Sequence, residues 1–406
     1  MSVAELTPAT AAPSRLTTNW IVGAGTDLPW FIGGALAGYA MFAIHMAIEA
    51  GHLWSWNMFT VWLIWWMFLD IPHFFGTYAR TYLDREERHK RRGLLLGSLA
   101  FPFIGPFLIL ISFGLFSIGI ERYSLPFDLL FAFVGLWAYW HVVRQHYGLM
   151  TLYKRKNNDA AAVDRWIDNT LLYVGLLAPF VALVARHPLA RAELHLPAQA
   201  LPGTTPYFVT EATVWGAIVA IFLASLAFAA RQAYRWRSGM PLNVPKILFL
   251  LAVVPLHIFV CFHPAVLQAS PTSFAAFVTI FHDIQYHAIV WHYQRNRIHR
   301  PGVDKSRFGL AALVSSHFVI FLGCAIAMGI GAWALSCTLG IQAGCMSWMP
   351  HIESEGWRLF GGFTWYHVFF GVAVGFIMHH YFVDQFIWRP SKDSELRHDL
   401  RLNAAE

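Results

Sequence analysis

The chain has 406 residues, of which 57% are hydrophobic and only 13% charged. Apolar runs of about 20 residues recur along its length, which excludes an ordinary soluble domain and predicts an all-α polytopic bundle in a membrane. The net charge of +6 calls for no nucleic acid, because basic loops beside anionic lipid headgroups explain it.

Residues 1–28 are rich in Ala, Thr and Pro. They lack the charged start, apolar core and small-residue cleavage site of a signal peptide, and are expected to form a disordered cytoplasmic tail. Ten spans follow, at 29–50, 53–78, 94–119, 126–150, 167–186, 208–230, 247–262, 273–293, 308–335 and 361–388. They make one transmembrane domain over 29–390, with a cytoplasmic tail at 391–406. Place both ends and the loops around 79–93, 151–166, 231–246 and 294–307 in the cytoplasm. Every Lys and Arg then lies on or beside that face except Arg122, Arg186, Arg191 and Arg358, as the positive-inside rule requires. The expected location is a bacterial-type inner membrane, crossed many times. Cys261 and Cys324 fall in spans, whereas Cys337 and Cys345 share an outer loop in which a disulfide and two free thiols are both open readings. No Cys pair has metal-type spacing, which disfavours a thiolate zinc or iron–sulfur site.

In chain order, the second, fourth, eighth and tenth spans each carry histidine just before a basic cluster: His73, His141 with His146, His282 with His287 and His292, and His379 with His380. Imidazole within a bilayer is costly and usually binds something. At a rise of about 1.5 Å per residue, His73, His146, His287 and His380 lie roughly 10–13 Å inside the first flanking cation. His141 and His282 lie at a second level, roughly 20 Å deep, and His317 is within reach of either layer. The other histidines, including His45, His187, His195, His257, His263, His351 and His367, are read as packing residues, and His292 and His299 as rim residues.

Histidines five apart diverge by about 140° on an α-helix. A π-bulge would bring His141 and His146, or His282 and His287, onto one face. Without one, a member of each pair faces elsewhere and one metal is expected rather than two. Three acids share faces with these histidines: Asp70 three before His73, Asp283 four before His287, and Asp384 four after His380. Each is a candidate carboxylate ligand or an acceptor that orients an imidazole. The orienting role is expected for Asp70 and Asp283, and both roles stay open for Asp384.

Imidazole with carboxylate suits a transition metal with open positions, and non-heme iron is the expected ion for oxygen chemistry. A site in hydrocarbon favours an apolar substrate, so the expected partners are a membrane lipid or isoprenoid, O2 and an electron donor. The same residues carry a resemblance. Pro72-His73, His146-Tyr147-Gly148, Phe281-His282 through His287, and His379 through Asp384-Gln385-Phe386-Ile387-Trp388-Arg389-Pro390 resemble elements of the bacterial β-carotene cleavage dioxygenases, the bacteriorhodopsin-related-protein family. That resemblance implies a polytopic oxygenase with histidine-bound non-heme iron. The chain departs from the pattern in having Phe74 where the family has Gly and four residues, not three, between His282 and His287. Two rival classes remain: a fatty-acid desaturase or hydroxylase with two irons, although the His-x2-His-His boxes are absent, and a haem- or metal-binding transport or electron-transfer protein.

Overall fold

A computed structural model of the chain describes residues 15–52, 58–193, 197, 201–269, 271–338 and 358–402. It is all-helical apart from two small two-stranded pairings. The long helices are α1 (Ala24–Glu49), α2 (58–80), α3 (Arg92–Ser117), α4 (Leu125–Lys156), α5 (Ala162–Arg186), α6 (Thr205–Arg237), α7 (Val244–Phe262), α8 (Pro271–Ile298), α9 (Phe318–Thr338) and α10 (Trp365–Ile387). Eight of them, all but α2 and α8, are long and apolar enough to cross a membrane. In α8 the apolar run is interrupted by His282, Asp283, Gln285 and His287.

The exterior is apolar. Phe103, Phe107 and Leu110 of α3, and Phe208, Trp215 and Phe222 of α6, are exposed. The 7-residue spacing along α6 keeps its three aromatic rings on one outward stripe. The largest core lies among α5, α7 and α8, where Leu172, Leu176, Phe249, Val253, Phe277 and Phe281 are fully buried. Helix starts carry local signals as well: Asn243 accepts from Lys246 N at 3.2 Å ahead of α7, and Thr364 and His367 form a capping box at α10.

Polar contacts gather the basic segments at one end of the bundle. Arg297, at the end of α8, pairs with Asp84 at 3.1 Å and Asp399 at 3.6 Å, which ties the α2–α3 connection and the C-terminal segment to α8. Near the N-terminus, β1 (Leu16–Thr17) pairs in parallel with β2 (Leu242–Asn243), and Asn19 N donates to Asn157 Oδ1 at 3.1 Å. Asp159, between α4 and α5, contacts both Lys246 and Arg235 at 2.7 Å. Burial alone would raise its carboxyl, but Lys246, Lys154 and Arg235 hold it down at about 2. His292 lies close to Lys156 and Arg401 alike, which joins the two groups of segments.

Several boundaries differ from those expected. Within the N-terminal 28 residues, Leu16 and Thr17 are tied into a strand and α1 begins at Ala24, while residues 1–14 lie outside the described residues. The C-terminal segment folds back as a short helix, Ser394–Asp399, with Leu396 and Leu400 buried. The ninth span was expected from 308, but Gly309 takes φ 63° and a short helix, Leu310–Val314, intervenes. Only glycine adopts that backbone readily, so the chain turns there and α9 starts at Phe318. Cys337 is disulfide-bonded and Cys261 and Cys324 are free; Cys345, like His195 and His351, lies outside the described residues.

Candidate metal centre

Helices α2, α4, α8 and α10 each direct one buried imidazole to a common point: His73, His141, His282 and His380. The rings form a closed square, with centroid separations of 4.7 Å from His73 to His380, 5.1 Å from His380 to His141, 5.0 Å from His141 to His282 and 5.1 Å from His282 to His73. Close helix packing sets the square. A Cβ at Gly76 would stand 2.7 Å from the Tyr286 ring, so glycine there lets α2 approach α8. The stretch Trp66–Asp70 of α2 is a π-helix, and it turns Asp70 and then His73 toward α8. No π-bulge occurs in either histidine pair, since α4 and α8 are α-helical throughout them, and one member of each pair faces elsewhere.

The pair at the centre is His73 and His380, whose Nε2 atoms are 3.0 Å apart. A hydrogen-bond chain assigns their protons. Thr77 Oγ1 donates to Asp384 Oδ1 at 2.7 Å, and Tyr286 Oη donates to the same oxygen at 2.9 Å. Thr77 Oγ1 is also 2.8 Å from His380 Nδ1. A hydroxyl has one proton, so Thr77 accepts from His380 and the His380 proton resides on Nδ1. Its Nε2 lone pair therefore faces His73. On the far side of His73, Nδ1 is 3.1 Å from Asp283 Oδ1. The contact is off the line of a hydrogen bond and leaves both atoms without a bonded partner, so it does not assign the His73 tautomer. Trp65 Nε1 donates to the other oxygen of Asp283 at 3.1 Å. With the His73 proton on Nε2 this contact is an N–H···N hydrogen bond; with it on Nδ1, two Nε2 lone pairs meet at 3.0 Å, a geometry that a shared cation would satisfy.

The square fits a metal ion on its own geometry. Two nitrogens bound to one ion at about 2.1 Å and at right angles stand about 3.0 Å apart. One nitrogen from each of His73, His282 and His380 lies within 4.8 Å of the others, and the same holds for ligand atoms of His141, His380 and Asp384. His141 Nε2 and His282 Nδ1 are buried without partners. Buried polar atoms are rarely left so. Aromatic side chains wall the site, Phe74 stacked on His380 at 4.3 Å and Tyr381 on His141 at 4.5 Å.

A second cluster adjoins the first. Asp70 Oδ1 is 3.9 Å from His73 Nδ1, and one ligand atom from each of Asp70, His73 and Asp283 lies within 4.8 Å of the other two. Ionised carboxylates that close repel by about 3 kcal/mol or more even at an effective dielectric of about 20.

Three expected ligands lie elsewhere. His146 faces His257 of α7, ring to ring at 5.6 Å, with neither of its nitrogens bonded. His287 packs on Phe321 of α9 at 6.2 Å, also with both nitrogens unpartnered. His379, next to His380 but turned about 100° around the helix, bonds Tyr82 Oη through Nε2 at 2.8 Å. His317 is exposed. Conversely, Thr77, Tyr286, Trp65 and Trp388 were not anticipated. Thr77 and Tyr286 each follow a square histidine by four residues, so the helical signal was present. Surface clefts of about 830 and 320 Å³ lie around Lys90, Arg389 and Lys392, and around Arg297, Arg300 and His398, apart from the square.

Comparison with known proteins finds no matching family model, no similar curated protein and no similar solved structure.

Proposed function

We infer that the chain is a membrane-embedded, non-heme iron oxygenase acting on an isoprenoid, a carotenoid or another lipid. The observation that carries this reading is the pair of Nε2 atoms 3.0 Å apart, with the His380 proton placed on the opposite ring nitrogen by Thr77 and Asp384. Oxygen chemistry rests on the donor set and on the resemblance to the β-carotene cleavage dioxygenases. A lipid substrate rests on the site's place among apolar helices.

The membrane topology has its own support. Asp84 follows α2, Asp159 follows α4, Asn243 follows α6 and Arg297 ends α8, and all of these lie at the end of the bundle that holds both described chain ends. Such sharing requires an even number of crossings between any two of them. On this reading α2 and α8 cross along with the eight apolar helices, ten in all, and the lysine and arginine bias makes the shared face cytoplasmic.

When bound, iron supplies one-electron chemistry toward O2 at its open positions. His73, His141, His282 and His380 would hold it. Asp384, through Thr77, keeps the His380 proton on Nδ1 and the Nε2 lone pair on the ligand side. Phe74 and Tyr381 keep water from the imidazoles and offer an apolar wall to a lipid chain. The test is twofold. Purified protein is assayed for iron and for a haem Soret band, and cell lipids are profiled with and without the gene. Stoichiometric iron, no Soret band and a missing oxidised lipid are expected. Protein free of bound metal after expression in iron-replete cells would overturn the reading.

A further inference from the structure

Asp283, fully buried, and Asp70, partly buried, form an acidic pair with no Lys or Arg bonded to either among the described residues. Two further atoms point to a ligand there. Asp283 Oδ1 and His73 Nδ1 are both buried, belong to residues 0% and 2% exposed, and have no hydrogen-bond partner although they stand 3.1 Å apart. Asp70 Oδ1, 3.9 Å from the same nitrogen, completes a three-atom face within 4.8 Å. The opposite nitrogen of His73 is committed to the imidazole square, 3.0 Å from His380 Nε2. One ring therefore stands between two cation-seeking faces.

We propose that Asp70, Asp283 and His73 Nδ1 form a second metal site for a divalent first-row ion, with the His73 ring bridging it to the ion of the square. Two carboxylates and one imidazole suit Mn2+ or Fe2+, since carboxylate oxygen favours the harder ions and imidazole the transition metals. The ion takes the place of the proton on His73 Nδ1. That proton leaves to solvent, the bridging ring becomes imidazolate, and the two negative carboxylates gain the counter-charge that the surrounding side chains do not give them. Loading of the second site accordingly releases a proton. The proposal rests on the square holding an ion, and it deepens that reading by assigning the acids as ligands.

Full-length protein in detergent, stripped with chelator, is dialysed against Co2+ as the sole probe, and bound cobalt per chain is measured together with the Co2+ paramagnetic resonance signal. Wild type is expected to bind two ions with a signal weakened by coupling through His73. Asp70→Asn and Asp283→Asn are expected to bind one each, with the full signal of an isolated ion, and His282→Ala to lose the square's ion and keep the other. Gel filtration and thermal unfolding confirm that each variant is folded; Asp70→Asn, whose side chain is 18% exposed, is the more conservative. One ion in wild type and still one in Asp70→Asn, but none in His282→Ala, would overturn the second site and leave the square standing, the acids then sharing a proton. Two ions retained in both Asp variants would also overturn it. No cobalt in wild type would remove both sites.

Discussion

His379 and His380 are neighbours in the chain and have opposite surroundings. His380 Nε2 meets His73 Nε2 at 3.0 Å, while His379 Nε2 accepts from or donates to Tyr82 Oη at 2.8 Å. One imidazole faces the centre of four helices and the other the interface with the α2–α3 connection.

A direct contrast follows for metal content. His380→Ala and His73→Ala should each reduce bound iron by tenfold or more, since each removes a ligand at the centre. His379→Ala should leave iron content within a factor of about two of wild type. Elemental analysis of the three purified variants checks this, and equal losses in all three would refute the arrangement of the square.

His146 was expected among the ligands but faces His257 instead. His146→Ala should therefore keep its iron. Its cost is to stability, because truncating a fully buried ring leaves a cavity, at about 2–4 kcal/mol by analogy with other large-to-small changes in cores. Metal content and unfolding temperature, measured on the same sample, separate the two effects.

Thr77 relays Asp384 to His380. Thr77→Val keeps the shape and removes the hydroxyl, so the proton on His380 loses its acceptor and the tautomer is free to change. Metal should remain in the protein with affinity or turnover lowered roughly 10- to 100-fold. Metal titration of Thr77→Val against wild type tests this, and an unchanged affinity with unchanged turnover would exclude the relay.

The Asp159 network makes stability depend on pH. Its carboxyl is held at about 2 in the folded protein, below the unfolded value of about 3.9. A depressed carboxyl stabilises fully above the unfolded value and loses that contribution as pH falls toward the folded one. The share from Asp159, about 2–3 kcal/mol, should be present at pH 5 and lost between about pH 4 and 2. Asp159→Asn should lower the unfolding temperature in detergent at neutral pH and flatten this part of the acid profile. A variant with the wild-type acid profile would show that the carboxylate is not responsible.

Orientation is open to labelling. In a protein lacking reactive native cysteines, a single cysteine at the exposed Arg85 should resist an impermeant thiol reagent applied to intact cells, and one at the exposed Arg122 should react. The reverse pattern would invert the topology.

The apolar helices, and the four whose imidazoles meet, were legible from the sequence. Apolar runs, lysine and arginine bias and histidine position along each run are one-dimensional signals, and they pointed to α2, α4, α8 and α10. Depth along a helix, however, says nothing of azimuth. His73, His146, His287 and His380 were expected at one level, yet only His73 and His380 face the centre, because side-chain direction turns about 100° per residue and is fixed by what each helix packs against. The π segment at Trp66–Asp70 and the close approach at Gly76 rotate and lower α2 onto α8, which brings Asp70, His73 and Asp283 together from helices more than 200 residues apart. Composition by itself thus determined an all-helical chain with a polar stratum near one end. Tertiary packing decided which imidazoles meet, and it put His73 between His380 and the acids Asp70 and Asp283, because those outcomes depend on contacts between helices that no local pattern contains.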